Sequence, residues 1–329
     1  MTVTYQDIYT ASKRIAGQAV HTPLLENRKL NQICDARIFI KPECLQHTGS
    51  FKFRGAYHAV SSLDKETRTR GVIAYSSGNH AQSIALAAKL FDIPSTLIMP
   101  QDAPQIKRDN TCALGANVIC YNRYSESRED ITKAIQEESK AILIPPYDYA
   151  PVIAGQGTLG LEAAQELEQK GIHLDYALAS CGGGGMIAGM SIALHHHFPN
   201  VKIYACEPEY YDDTKRSLET GVLQKAQTHK TTLCDAIMTP EPGTLTFPIN
   251  KQHLEGGLSI SEEETLAAIA FALENLKMVI EPGGVIPLAA LLSRKLKTQG
   301  KNILIVLSGG NIDNDVIKRA LDQHAHFTF

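Results

Sequence analysis

Apolar and polar positions along this chain fall into two alternating kinds of block. Short apolar runs rich in β-branched residues are separated by longer stretches with apolar positions three and four apart, the signatures of buried strands and amphipathic helices. In the first half, "GVIAYSS" (71–77), "PSTLIMP" (94–100), "ANVICY" (116–121) and "AILIPP" (141–146) read as strands. Between them lie three expected helices, "NHAQSIALAAKLF" (79–91), "APQIKRDNTCALG" (103–115) and "SREDITKAIQEES" (127–139). Gly115 closes the second, and Ser127 or Ser125 caps the third. This βαβαβαβ order predicts a small parallel sheet covered by helices.

A second series begins near residue 150. "GQGTLGLEAAQELEQKG" (155–171) reads as a helix, "DYALASC" (175–181) as a strand, and "MIAGMSIALHHHF" after a glycine tract as another helix. "VKIYACEP" (201–208) is an expected strand, followed by helices over "SEEETLAAIAFALENL" (261–276) and "PGGVIPLAALLSRKLK" (282–297). "KNILIVLSGG" (301–310) is a final buried strand, while residues 209–260 show no clear period. There is no internal repeat, low-complexity tract or linker, so each half reads as an open α/β unit.

Composition narrows the class. The chain has 329 residues, 43% hydrophobic and 20% charged, as expected of a globular protein with a sizeable core. A formal net charge of −3 gives no reason to expect nucleic acid or an anionic membrane as partner. No run approaches the roughly 18 apolar residues of a membrane span, and the first residues show no signal peptide. The seven cysteines form no CxxC pair and stand in apolar settings such as "NVICY" and "IYACE", which predicts reduced, buried thiols in a cytoplasmic protein.

Candidate chemistry centres on two stretches. In "TGSFKFRGA" (48–56), Lys52 sits between two phenylalanines. It is either a snorkelling lysine or an amine whose pKa is lowered by burial for use as a nucleophile. In "SCGGGGMIAGM" (180–190), four glycines join a strand to a helix, leaving backbone N–H groups and a helix N-terminus free to bind an anion such as phosphate. Two ligands compete for that loop. Gly183, Gly185 and Ala188 fit the loose dinucleotide pattern G-x-G-x-x-A, with Glu207 placed for a ribose, which favours a nicotinamide oxidoreductase. Pyridoxal 5′-phosphate instead needs a phosphate nest, a lysine amine and a polar partner for its ring nitrogen.

Other clusters sit at strand ends. "SSGNHAQ" (76–82) offers N–H groups and hydroxyls to a carboxylate, or is an ordinary helix cap. "LSGGN" (307–311) ends the last strand where open α/β sheets bind ligands. "CEPEYYDD" (206–213) is a solvated acidic loop or an oxygen-ligand cation site, and "HHH" (195–197) reads as a surface run.

Lys52 in "SFKFRGA", Asn79 in "SSGNHAQ", the glycines of "CGGGGM" and Ser308 in "LSGGN" follow in this order through nearly the whole chain. On these motifs the chain resembles the pyridoxal-phosphate enzymes of fold type II, specifically the serine/threonine dehydratase and serine racemase group. The resemblance implies a tryptophan synthase β-like α/β fold of two open, mostly parallel domains with the cofactor in the cleft. Residues 1–61 and 149–329 would form the large domain and residues 70–145 the small one.

It further implies that Lys52 carries the cofactor as a Schiff base and removes the substrate α-proton. Phe51 would pack near the cofactor ring, Asn79 would bond its hydroxyl, and Ser308 would meet its nitrogen. Gly182, Gly183, Gly184, Gly185 and Met186 would bind the phosphate, while Ser76, Ser77, Asn79 and His80 would hold the substrate carboxylate. Ser77 matches the opposite-face acid/base of serine racemases. Glu207, Asp213 and the Tyr211 carbonyl match a divalent-cation site for Mg²⁺, Ca²⁺ or Mn²⁺. Arg128, with Thr239 beside it, resembles a residue that meets a second substrate carboxylate.

"EPGGVIP" (281–287) departs from the racemase pattern. So does Leu114, which stands where an ATP-contacting tyrosine is found, although Gln82, Lys107 and Asn311 remain compatible with a nucleotide. The expected activity is a cytoplasmic, homodimeric L-serine/L-threonine ammonia-lyase acting on a small amino acid, without the regulatory C-terminal domain of biosynthetic threonine dehydratases. Serine racemase, 3-hydroxyaspartate ammonia-lyase and, more distantly, an NAD-dependent oxidoreductase are the alternatives.

Overall fold

The computed structural model describes residues 2–324. The strands are β1 (Leu25–Glu26), β2 (Arg37–Pro42), β3 (Val72–Tyr75), β4 (Ser95–Pro100) and β5 (Asn117–Tyr121). They continue with β6 (Ile142–Leu143), β7 (Tyr176–Ser180), β8 (Lys202–Pro208), β9 (Gly256–Ile260) and β10 (Asn302–Leu307). One sheet runs β1-β2-β10-β7-β8-β9 and the other β5-β4-β3-β6. Every pairing is parallel except β1 with β2.

The period-2 geometry of the larger sheet splits its apolar residues between two cores. Leu178, Ile303, Ile305 and Leu307 face the helix Pro282–Leu292, against Val285, Leu288 and Ala289. Ala177, Ala179, Leu304 and Val306 face the helices Ala150–Gln169 and Gly185–His197, meeting Leu159, Ile187 and Met190. The smaller sheet does the same, with Val72, Ala74 and Leu97 on one side and Ile73 and Ile98 on the other.

Three helices cross nearly backbone to backbone, and glycine makes this possible. A Cβ on Gly155 would lie 2.6 Å from Gly55 Cα in the helix Lys52–Ser62. One on Gly189 would lie 2.3 Å from the Ile153 carbonyl oxygen. Lys52 begins the first of these helices and the glycine tract leads into the third, so the close crossings fix the two motifs relative to each other.

The structure revises several sequence expectations. The helix expected from Gly155 starts at Ala150, because Pro151 lies in its first turn, where a missing N–H costs nothing. The strand expected over 141–146 shrinks to Ile142–Leu143, since the prolines that follow cannot donate to a ladder. The helix expected to 276 passes into a π-helical turn over Ala272–Leu276, and the one expected to 297 ends at Leu292. Region 209–260 holds the helices Asp213–Thr220 and Thr246–His253 and strand β9. All seven cysteines are free, but Cys112 and Cys120 are exposed rather than buried, Cys120 because β5 is a sheet edge. Among the described residues no helix is long and apolar enough to cross a membrane.

The helix crossing gives a direct test. Gly155→Ala should lower unfolding stability by about 1–3 kcal/mol through overpacking. The reading is a lower urea midpoint at an unchanged denaturant slope.

Candidate active site

Lys52 opens its helix on the floor of a cleft between the two sheets. Two residues further on, Arg54 locks that helix in place. Its fully buried guanidinium donates to Glu43 (2.8 and 2.9 Å) and to Glu162 (2.7 and 2.8 Å). Lys41 completes the cluster, donating to Glu162 at 2.7 Å. Lys52 Nζ donates to the Pro146 carbonyl at 2.7 Å and lies 5.1 Å from the Phe51 ring centre. Burial pulls its pKa down to about 8, against the opposing charge of Glu281. A lysine in this setting holds a substantial neutral fraction near physiological pH, as a nucleophile or base requires.

The cleft gathers residues expected from the sequence at several separate places. Phe51, Ser76, Ser77, Asn79, His80 and Arg128 line it, as do Gly182, Gly183, Gly184, Gly185, Met186, Thr239 and Ser308. Ser76 is partly committed elsewhere, since its hydroxyl accepts from Gly78 N–H (3.0 Å) and its own N–H goes to Ile98 O (3.0 Å). His80 Nε2 meets the Ile144 carbonyl at 2.9 Å. Burial, helped by the charge of Lys52, pushes the His80 pKa down to about 3, so the ring is neutral and Nε2 is the donor.

The glycine tract forms a shaped backbone loop. Gly184 precedes the helix Gly185–His197 at φ +87°, a left-handed conformation that favours glycine. Behind the loop, the Gly183 carbonyl accepts from Thr246 Oγ1 (2.6 Å) and Gly243 N–H (3.2 Å). In front, the Tyr147 ring packs so closely that a Cβ on Gly183 would lie 2.2 Å from Tyr147 Cδ2.

Sequence reading missed the charge network that crosses the cleft. Lys107, in the helix Gln105–Ala113 beside the smaller sheet, donates to Glu281 (2.9 Å) and Asp235 (2.9 Å) on the larger unit. Burial opposes the Lys107 charge, but the two carboxylates outweigh it and hold its pKa above the usual lysine range. All three N–H groups are spent on these oxygens, so Lys107 offers nothing to a nucleotide. Glu281 also accepts from Asn79 Nδ2, and Asn311 Nδ2 donates to Asn79 Oδ1 at 2.9 Å, which fixes the amide orientation. Tyr75, Tyr147, Gln156, Ser180 and Asp235 line the cleft without having been singled out.

Glu207, Tyr211 and Asp213 lie outside the cleft lining. Glu207 accepts the N–H groups of Thr214 (2.9 Å) and Lys215 (2.7 Å) at the start of the helix Asp213–Thr220. Burial, then the neighbouring Asp213 charge, raises the Glu207 pKa, and burial pushes Asp213 up to about 7. Asp213 Oδ2 is buried without a hydrogen-bond partner. Among the described residues no group of three or more His, Cys, Asp or Glu side chains is placed to hold a metal ion. In the histidine run, His196 stacks on Tyr5 at 3.5 Å and His197 meets Glu168 at 3.1 Å.

Pyridoxal phosphate can be tested against this cleft. His80 Nδ1, Ser180 Oγ, Gln156 Nε2 and Thr239 Oγ1 belong to cleft-lining residues and are buried with no partner. Such unsatisfied groups suit a polar ligand. With a buried lysine of lowered pKa and a glycine loop at a helix N-terminus, they suit a phosphate-bearing cofactor that reacts with an amine. The chain belongs to the family of pyridoxal-phosphate dependent enzymes, whose sequence model matches residues 15–309.

Its relatives share nearly the whole length. An L-threo-3-hydroxyaspartate ammonia-lyase of Saccharomyces cerevisiae is 43% identical over 310 residues, 94% of each chain. A serine racemase of Schizosaccharomyces pombe is 40% identical over 324 residues, 98% of this chain and 97% of the relative. The crystal structure of a T.th. threonine deaminase superposes with a TM-score of 0.89 at 39% identity, covering 94% of this chain and 99% of that one.

Lys107→Met should lower stability by about 3–5 kcal/mol, because it leaves Glu281 buried without its ion-pair partner. Adding Glu281→Gln should restore part of that loss, a coupling that urea unfolding of the two single variants and the double variant measures directly.

Proposed function

We propose that this protein is an ammonia-lyase that removes water and then ammonia from a small β-hydroxy amino acid, with 3-hydroxyaspartate as its preferred substrate. One observation carries the choice of substrate. The Arg128 guanidinium stands on the cleft wall, 4.6 Å from the Tyr75 ring centre. Its Nε is held by Glu129 at 2.8 Å, and its two terminal nitrogens have no hydrogen-bond partner among the described residues. A guanidinium lining the same cleft as Lys52, with its fork free, suits a second substrate carboxylate, which serine and threonine lack. The names of relatives such as the yeast enzyme support the same reading.

Bound pyridoxal phosphate would supply an electron sink for charge developing at the substrate α-carbon. The residues that would hold it are Lys52, Asn79, Ser308 and the loop Gly182–Met186. Asn79 keeps one Nδ2 hydrogen free for the ring hydroxyl, because the other is given to Glu281. Ser308 offers the ring nitrogen a hydroxyl rather than a carboxylate, which limits its protonation.

Lys52 Nζ takes the α-proton, and its lowered pKa makes the neutral amine available to do so. The N-terminus of the helix Asn79–Leu90 presents unpaired N–H groups to the α-carboxylate, with Ser77 and His80 beside them. Arg128 and the unpartnered Thr239 hydroxyl orient the second carboxylate. The β-hydroxyl leaves as water, taking up the proton that Lys52 removed from the α-carbon. The released enamine then hydrolyses to a 2-oxo dicarboxylate and ammonia. Glu207, Asp213 and the Tyr211 carbonyl would take a divalent cation, which the unpartnered Asp213 oxygen and the raised carboxyl pKa values accommodate.

Two outcomes test this reading. Protein incubated with pyridoxal phosphate should gain a visible band at longer wavelength than the free cofactor. Borohydride should fix the cofactor to the peptide containing Lys52, and the absence of both would remove the mechanism. Arg128→Met should cut kcat/KM for 3-hydroxyaspartate by about a hundredfold while leaving serine turnover nearly unchanged. An equal loss on both substrates would assign Arg128 to the fold and leave the substrate to serine or threonine.

A further inference from the structure

The glycine loop depends on a residue that does not touch it. The helix Thr246–His253 runs behind the loop and begins without a local cap, since Leu245 occupies the capping position and offers no side-chain acceptor. Asp148, 97 residues before Leu245, takes that part. One carboxylate oxygen accepts the N–H groups of Leu245 (2.7 Å) and Thr246 (3.2 Å). The other accepts the N–H (3.0 Å) and hydroxyl (2.8 Å) of Thr244. Gly243 passes so close that a Cβ there would lie 2.3 Å from Asp148 Oδ1.

The consequence reaches the phosphate loop through peptide geometry. Thr246 Oγ1 (2.6 Å) and Gly243 N–H (3.2 Å) both donate to the Gly183 carbonyl, and Asp148 touches or caps the residues that carry both donors. In a planar trans peptide the N–H points opposite to the C=O. A Gly183 carbonyl drawn back toward the 246–253 helix therefore turns the Gly184 N–H the other way, into the cleft. Asn250 Nδ2 adds a longer contact of 3.4 Å to the Gly184 carbonyl from the same helix. Asp148 also follows Tyr147, whose ring packs on Gly183. One short segment thus contacts Gly183 directly and braces its carbonyl through Thr246.

We propose that Asp148 is a positioning residue for cofactor phosphate, acting through Thr246 to aim the Gly184 N–H. The inference rests on the cofactor reading above and adds a residue that never meets the cofactor. It makes the carboxylate of Asp148 specific for the phosphate end of the ligand and indifferent to its ring.

That distinction sets the experiment. Apoenzyme of the full chain is titrated with pyridoxal phosphate and separately with pyridoxal, which lacks the phosphate, following absorbance. Asp148→Ala should weaken pyridoxal phosphate about tenfold, the size of a lost charge-assisted hydrogen bond, and leave pyridoxal affinity unchanged. Thr246→Val should reproduce the effect and Thr246→Ser should restore affinity, which keeps the test open if Asp148→Ala folds poorly. Equal weakening of both ligands, or no weakening of either, overturns the proposal. Wild-type apoenzyme that binds neither ligand would overturn the cofactor reading itself, a result distinct from failure of the variants alone.

Discussion

A guanidinium removed from water has to be surrounded by acceptors on every side, and that requirement at Arg54 organises this molecule. Its five N–H groups are spent on Glu43, Glu162, Thr158 and the Val20 carbonyl. Those partners come from the N-terminal segment, the turn after β2 and the helix 150–169, so the arrangement forms only when all three are assembled. A buried ion cluster is poor evidence of net stability, because desolvation offsets much of the attraction. Its value here is geometric. The placement of the helix 52–62 that satisfies the fork carries Lys52 to the cleft floor.

The surroundings of Lys52 show how charge is rationed inside the cleft. Its amine is pulled toward neutrality by burial, although Glu281 stands near enough to oppose that effect. Lys107 occupies the far side of Glu281 and absorbs much of its charge, together with that of Asp235. The same carboxylate orients Asn79. One buried acid thus connects the two sheets, the Asn79 amide and the electrostatics of Lys52. Neither the lysine nor the amide can be understood from its immediate sequence neighbours.

That contrast explains what the sequence made legible. Strands β3 to β8 and β10, the glycine loop and the Lys52 turn are local signals, each contained in a dozen residues or fewer, whereas β1 and β2 were not read from the sequence. Lys107 and Glu281 are 174 residues apart, and Asp148 and Leu245 are 97 apart. Each appears in the sequence as a single charge in an unremarkable stretch, because pairing across such distances leaves no period or spacing to detect. Strand β9 escaped notice for a different reason, since "GGLSI" opens on two glycines with little strand propensity of their own.

The crossings at Gly55, Gly155 and Gly189 have a further consequence for how such a protein can diversify. Where backbones touch, no side chain can be enlarged without moving a helix, so the floor that carries Lys52 and the glycine loop tolerates little change by mutation. The far wall is not. Tyr75 and Arg128 stand on elements around the smaller sheet, and Thr239 lies on an irregular turn of the larger unit. Inheritance can therefore keep the cleft floor intact while exchanging the residues of its wall. Relatives with the same outline and different substrates are the form such a history would take.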